Sequence, residues 1–191
     1  IVFNGEIYNY RELRQELAGQ GEVFRSWSDT EVILALYARE GAGLLSRLRG
    51  MYALAIWDDA EKALFLARDP YGIKPLYYSL AGGVFRFASQ VKALEASGAL
   101  SKEVDPGALA GFLLWGSVPE PLTLRRAVRA LPAGHCLTVS ADRRAVEPRL
   151  RRSVRSGDRG RARALRHSAG SRAGLRHHLS RGDVPAHYSA G

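Results

Sequence analysis

The sequence predicts a layered α/β (α+β) domain followed by a basic tail, and three observations carry that prediction. Two amphipathic helical stretches with capping residues come first. Two pairs of short apolar runs, each joined by turn residues, come next and read as β-hairpins. Third, the charge is divided: residues 149–191 hold 11 of the 28 Lys and Arg but only 2 of the 19 Asp and Glu, which accounts for the whole net charge of +9. The body, residues 1–148, is therefore neutral. The tail is rich in Arg, Ser, Gly and Ala and cannot bury enough apolar surface to offset the entropy of ordering it, so disorder is expected.

The elements follow in order. Ile1-Val2-Phe3 is a short apolar entry, and Asn4-Gly5 reads as a turn dipeptide. Asn9 stands where it caps a helix whose apolar positions Tyr10, Leu13 and Leu17 share one face. Ser28-Asp29-Thr30-Glu31 is a capping-box pattern that opens a second helix with the stripe Val32, Ile33, Leu36 and Tyr37, stopped at Gly41. A short helix runs through Leu44, Leu45 and Leu48. Met51 to Trp57 is an almost unbroken apolar run, suited to a strand buried on both faces. Ala63 to Ala67 is its hairpin partner across Asp58-Asp59. Tyr77-Tyr78 and Val84 to Ala88 form a second hairpin around Ala81-Gly82-Gly83. Helical spacing returns at Val91, Leu94 and Leu100. Asp105-Pro106 then opens another helix, with Asp as cap and Pro in the first turn. Cys136 to Val139 is a last strand after Pro132-Ala133-Gly134.

Composition excludes several classes. One cysteine permits no internal disulfide framework and no cysteine-based zinc site. No apolar run reaches the roughly 18 residues of a membrane span, and the start shows no charged-then-apolar leader, so a cytoplasmic protein with no membrane partner is expected. The tail's Arg excess could touch phosphates, but no aromatic residues are interleaved for stacking, so nucleic acid is not the expected partner. His177-His178 with His187, and Arg181-Gly182-Asp183, are short patterns that arise by chance in such a composition.

Few residues carry chemistry. Asn4-Gly5-Glu6 reads either as a turn or as a polar site: an Asn donor beside a Gly N–H can hold an oxyanion, and Glu6 can hold an ammonium group. Asp29 either favours the helix dipole or holds an α-amino group. In Arg68-Asp69-Pro70-Tyr71-Gly72-Ile73-Lys74-Pro75 the first two residues can lock the turn by pairing. Cys136 has His135 beside it, but neighbours on a strand face opposite ways, so the thiol reads as a small apolar filler and not as a nucleophile.

Taken together and in order, five runs resemble one family. They are Val2 to Tyr10, Ser28 to Glu31, Gly50 to Asp58, Ala67 to Tyr78 and Phe87 to Leu94. They are similar to the glutaminase domain of glutamine-hydrolysing asparagine synthetases, and Leu131-Pro132-Ala133-Gly134-His135 resembles the link toward the synthetase domain. The resemblance implies a class II glutamine amidotransferase domain with an N-terminal-nucleophile hydrolase fold, an αββα sandwich of two mainly antiparallel sheets. It divides the chain into a partial amidotransferase domain at 1–100, a connection at 101–148 and the Arg-rich tail at 149–191. In that family an N-terminal Cys attacks glutamine, and the released ammonia amidates aspartate activated by ATP. By position, Asn4 and the Gly5 N–H resemble the oxyanion hole, while Glu6 and Asp29 resemble the groups that hold the glutamine α-amino end.

The departures carry expectations as well. The chain starts at Ile1 and its only Met is Met51, so the nucleophilic Cys and a carboxylate-binding Arg are expected upstream, and the 191 residues alone are expected to be inactive. No cofactor is expected in this chain; ATP and Mg belong to the synthetase domain, as does aspartate. Arg49, Pro70 and Gln90 depart from the family's usual Asn, Arg and Glu. The tail reads as an out-of-frame translation. A homodimer of the full-length enzyme, an amidotransferase with another acceptor, and a non-catalytic scaffold that binds nucleic acid through its tail are the remaining readings.

Overall fold

Two antiparallel sheets stack face to face with helices outside them, in the computed structural model, which describes residues 1–140 and 149–152. The larger sheet has the order β1-β2-β3-β7-β8: β1 Val2–Ile7, β2 Gly50–Asp58, β3 Ala63–Arg68, β7 His135–Ser140 and β8 Arg149–Arg152. The smaller has the order β5-β4-β6: β4 Tyr77–Ala81, β5 Val84–Ala88 and β6 Arg129–Ala130. The helices are α1 Tyr10–Gly19, α2 Asp29–Glu40, α3 Val91–Glu95 and α4 Pro106–Trp115.

The alternation of strand side chains builds three apolar layers. Tyr52, Leu54 and Ile56 of β2, with Phe65 and Ala67 of β3, face α1 and α2 through Leu13, Leu17, Val32, Ile33 and Leu36. The intervening residues Ala53, Ala55 and Leu66 face the smaller sheet, where Tyr78, Phe85 and Phe87 meet them. Beyond that sheet Leu94, Leu100 and Val128 close a third layer against Tyr77 and Ala88. This is the αββα sandwich that the resemblance implied. β2 is buried on both faces, which is why its sequence is an unbroken apolar run and not an alternating one.

Several local expectations fail for identifiable reasons. Asn4-Gly5 is not a turn but the middle of β1, paired with Ala53 and Tyr52 of β2. A Cβ on Gly5 would lie 2.2 Å from the Met51 carbonyl oxygen, so glycine is there because two backbones touch. Asn9 does not cap α1 with its side chain. Its amide instead donates to the Arg47 carbonyl and accepts from the Arg49 N–H, pinning the loop before β2. Leu100 lies outside α3. β6 and β7 fall within 101–148, yet each adds a strand to a sheet built from earlier residues.

β8 occupies the first four residues assigned to the tail and pairs with β7 from His135↔Arg152 to Thr138↔Arg149. Edge pairing uses main-chain groups, so Arg-rich composition does not prevent it. The His and Arg-Gly-Asp patterns of the tail lie outside the described residues. Among the described residues no helix is long and apolar enough to cross a membrane.

Candidate functional site

The free edge of β1 is where the resemblance residues gather. β1 is terminal in its sheet, so half of its backbone groups face away from β2. The Tyr8 N–H donates to the Arg49 carbonyl, whereas the Ile7 N–H points outward and donates to Asp29 Oδ2 at 3.1 Å. Gly5 lies two residues before Ile7, so its N–H points to the same open edge. Val2, Asn4 and Glu6 share the opposite parity, and their side chains project on the face toward the smaller sheet.

Asn4 closes a gap between the two sheets. Its Nδ2 donates to Ser89 Oγ at 3.2 Å, joining β1 to the segment between β5 and α3. These two residues, with Val2, Ala53, Ala55 and Phe87, line a cavity of about 110 Å³. One N–H of the Asn4 amide remains for another acceptor after the bond to Ser89. Glu6 is exposed beside this edge and does not line the cavity. Asp29 approaches from the helix side of the strand.

Asp29 is placed by the start of α2. Ser28 Oγ accepts from the Thr30 N–H and caps the helix. Glu31 does not close the box on Ser28. It accepts from the N–H groups of Arg25 and Ser26 and from the Ser26 hydroxyl, and these bonds, the Arg25 one foremost, hold its carboxyl below the usual range. The loop before α2 is thereby folded onto the helix it precedes, which fixes where Asp29 stands.

A second polar cluster lies at the end of β3 and proves structural. Asp69 is fully buried and accepts from the N–H groups of Tyr52, Tyr71, Ile73 and Lys74. Arg68 donates to the carbonyls of Gly72, Lys74 and Leu131 and pairs with Glu120 at 2.7 Å. The two residues lock the turn as expected, but each through the backbone and not by pairing with the other. A buried charge needs such multiple partners.

Cys136 is buried in the layer between the larger sheet and α1 and α2, on the far side of the sheet from the Asn4 cavity. His135 contacts the Ala133 carbonyl through Nδ1. The thiol therefore has no access to the free edge of β1. Ser89 is the residue that sequence reasoning did not single out; its only signal was its place in the Phe87-Ala88-Ser89-Gln90 run between a hairpin and a helix.

Residues 1–149 match the glutamine amidotransferase domain family, and the chain belongs to it. The particular relatives are asparagine synthetases. Asparagine synthetase (glutamine-hydrolysing) 1 of Bacillus subtilis is 44% identical over 142 residues, 74% of this chain and 22% of that protein. A candidate asparagine synthetase (glutamine-hydrolysing) of Mycobacterium tuberculosis is 48% identical over 147 residues, with the same coverage. The chain thus spans under a quarter of the length of these relatives. Among solved structures, glutamine phosphoribosylpyrophosphate amidotransferase of B. subtilis shares the fold, with a TM-score of 0.57 over 79% of this chain and 28% of that one at 24% identity.

Proposed function

We propose that this domain binds glutamine at the free edge of β1 and releases ammonia for the ATP-dependent conversion of aspartate to asparagine by a longer polypeptide. The observation that supports the reading is the bond from the Ile7 N–H to Asp29, which holds a carboxylate at the free edge of the strand that carries Asn4, Gly5 and Glu6. Two carboxylates suit an α-ammonium group. The remaining Asn4 N–H and the Gly5 N–H suit the oxyanion that forms when the side-chain amide is attacked, because both are held by the sheet before reaction.

The attacking group in this reading is a cysteine outside these residues, since Cys136 is buried on the wrong face. Ammonia leaves once the amide carbon has bonded to sulfur, and water then cleaves the thioester. Among the described residues no group of three or more His, Cys, Asp and Glu is placed to hold a metal. In this reading ATP, Mg and aspartate belong to the remainder of the longer protein, and no step here passes through them. The same reading places the protein in the cytoplasm, as a homodimer when full length.

Calorimetric titration of the 191-residue chain with L-glutamine tests the site. Binding weakened about tenfold or more in both Glu6→Gln and Asp29→Asn is expected, the scale of one lost charge-assisted hydrogen bond. Equal binding by the variants overturns the assignment. Glutamine hydrolysis by the chain alone overturns the placement of the nucleophile.

A further inference from the structure

Helix α4 is built the wrong way round for a helix that serves only its own domain. Its ten residues, Pro106–Trp115, include no charge. Only the small residues Ala108 and Gly111 are buried. Gly111 lies against Pro119, where even a Cβ would come within 2.5 Å of the ring. The large side chains point away: Phe112, Leu113, Leu114 and Trp115 are 48%, 74%, 73% and 69% exposed. Four consecutive exposed apolar residues are a defect in a domain that stands alone, and a helix apolar all round is normally a buried one. α4 is nevertheless fully formed. Asp105 caps it by accepting from the Ala108 N–H, Pro106 occupies its first turn, and Gly116 ends it in the left-handed conformation. Its geometry is thus set by caps and by close packing of small residues, and the large apolar surface is held ready.

We infer that the outer face of α4 is the docking surface for the domain that asparagine synthetases carry beyond the matched segment. Two facts choose this occupant. The relatives keep more than three quarters of their length outside the region they share with this chain, so a large body is available to cover the face. The other candidate within the chain, residues 153–191, carries eight Arg against two acids, and desolvating guanidinium groups against an uncharged apolar helix is unfavourable. The inference rests on the part of the proposed function that gives this domain a synthetase partner. It does not depend on the chemistry at Asn4, so the glutamine titration and the docking measurement fail separately.

The test uses the 191-residue chain and the B. subtilis synthetase 1 segment outside the matched region, joined by titration calorimetry. Leu113→Ser with Leu114→Ser is compared with Val23→Ser, an equally exposed position (85%) on the loop before α2. Urea unfolding of each variant alone establishes that its fold is unchanged. The inference predicts saturable binding, unaltered by Val23→Ser and weakened at least tenfold by the α4 pair. A full-length hybrid, with this chain in place of the matched segment, gives a second reading. It should unfold in one cooperative transition that the α4 pair splits into two. Equal affinity for all variants, or a hybrid indifferent to the α4 pair, overturns the inference. So does a dimer of the chain that the α4 pair abolishes, or α4 amides that exchange faster once residues 153–191 are removed; these would assign the face to a second copy or to the tail.

Discussion

Helices α2 and α4 are both rich in large apolar residues, yet they relate to the molecule in opposite ways. α2 presents Val32, Ile33 and Leu36 to the sheet, and Tyr37 packs against the Phe65 ring at 5.3 Å. α4 presents Ala108 and Gly111 inward and leaves its leucines and Trp115 outside. What separates them is the property that marks a face: polarity in α2 and side-chain size in α4. In α2 polar residues mark the outward face. In α4 nothing polar does, and the small residues mark the inward one. An apolar helix therefore declares that it is covered, but not by what.

Core truncation should show the contrast at its largest. Leu36→Ala removes a fully buried side chain and should cost about 2–5 kcal/mol, whereas Leu113→Ala should stay within roughly 0.5 kcal/mol in the isolated chain. Urea denaturation of both variants measures the difference. Comparable losses would mean that α4 is packed by this chain itself, and the contrast would collapse.

A smaller effect is expected from filling the inner face of α4. Gly111→Ala forces a methyl group against Pro119 and should cost about 1–3 kcal/mol, although alanine ordinarily favours a helix. A stabilising substitution, read in the same denaturation experiment, would show that α4 moves freely on its support.

These contrasts bear on what the sequence makes legible. The hairpins β2-β3 and β4-β5, the double burial of β2, and the caps at Ser28 and Asp105 follow from apolar patterns and capping rules, because those rules are local. The stacking of two sheets follows only from the resemblance. The sequence around Gly5 reads as a turn because Asn-Gly is a turn signal. The true constraint on Gly5 is contact with the Met51 carbonyl, 46 residues away in sequence. Arg68 and Asp69 lie in the expected turn but do not pair with each other, although pairing of neighbours is the simplest reading of alternating charge. Their actual partners, Leu131 and Glu120 for Arg68 and the Tyr52 N–H for Asp69, are brought close only by the fold. Asn4, Gly5, Glu6 and Asp29 stand out as candidates by residue type and by resemblance. The bond from Asn4 to Ser89 does not, because a hydroxyl between a hairpin and a helix has no pattern of its own.

The caps should make the two helices alike where their packing makes them differ. Ser28→Ala and Asp105→Ala each remove a side chain that accepts one first-turn N–H, so each should cost about 1 kcal/mol. A much larger loss at Ser28, measured by thermal or urea unfolding, would show that the cap also carries the loop held by Glu31. A negligible loss at Asp105 would mean that Pro106 and Gly116 suffice to hold α4.

The smallest change belongs to the layer beneath α2. Tyr52 is fully buried, and its hydroxyl has no hydrogen-bond partner among the described residues. Burial foremost, with the charge of Asp69, pushes the phenol well above its ordinary range, so the group stays neutral and contributes no pH-dependent stability near neutrality. Tyr52→Phe removes an unsatisfied buried oxygen and keeps the ring, and it should leave stability unchanged or raise it by up to about 1 kcal/mol. A clear loss would reveal a partner for the hydroxyl in solution. In that case the layer under α2 would be held by a polar contact as well as by shape, and the contrast with α4 would no longer rest on apolar packing alone.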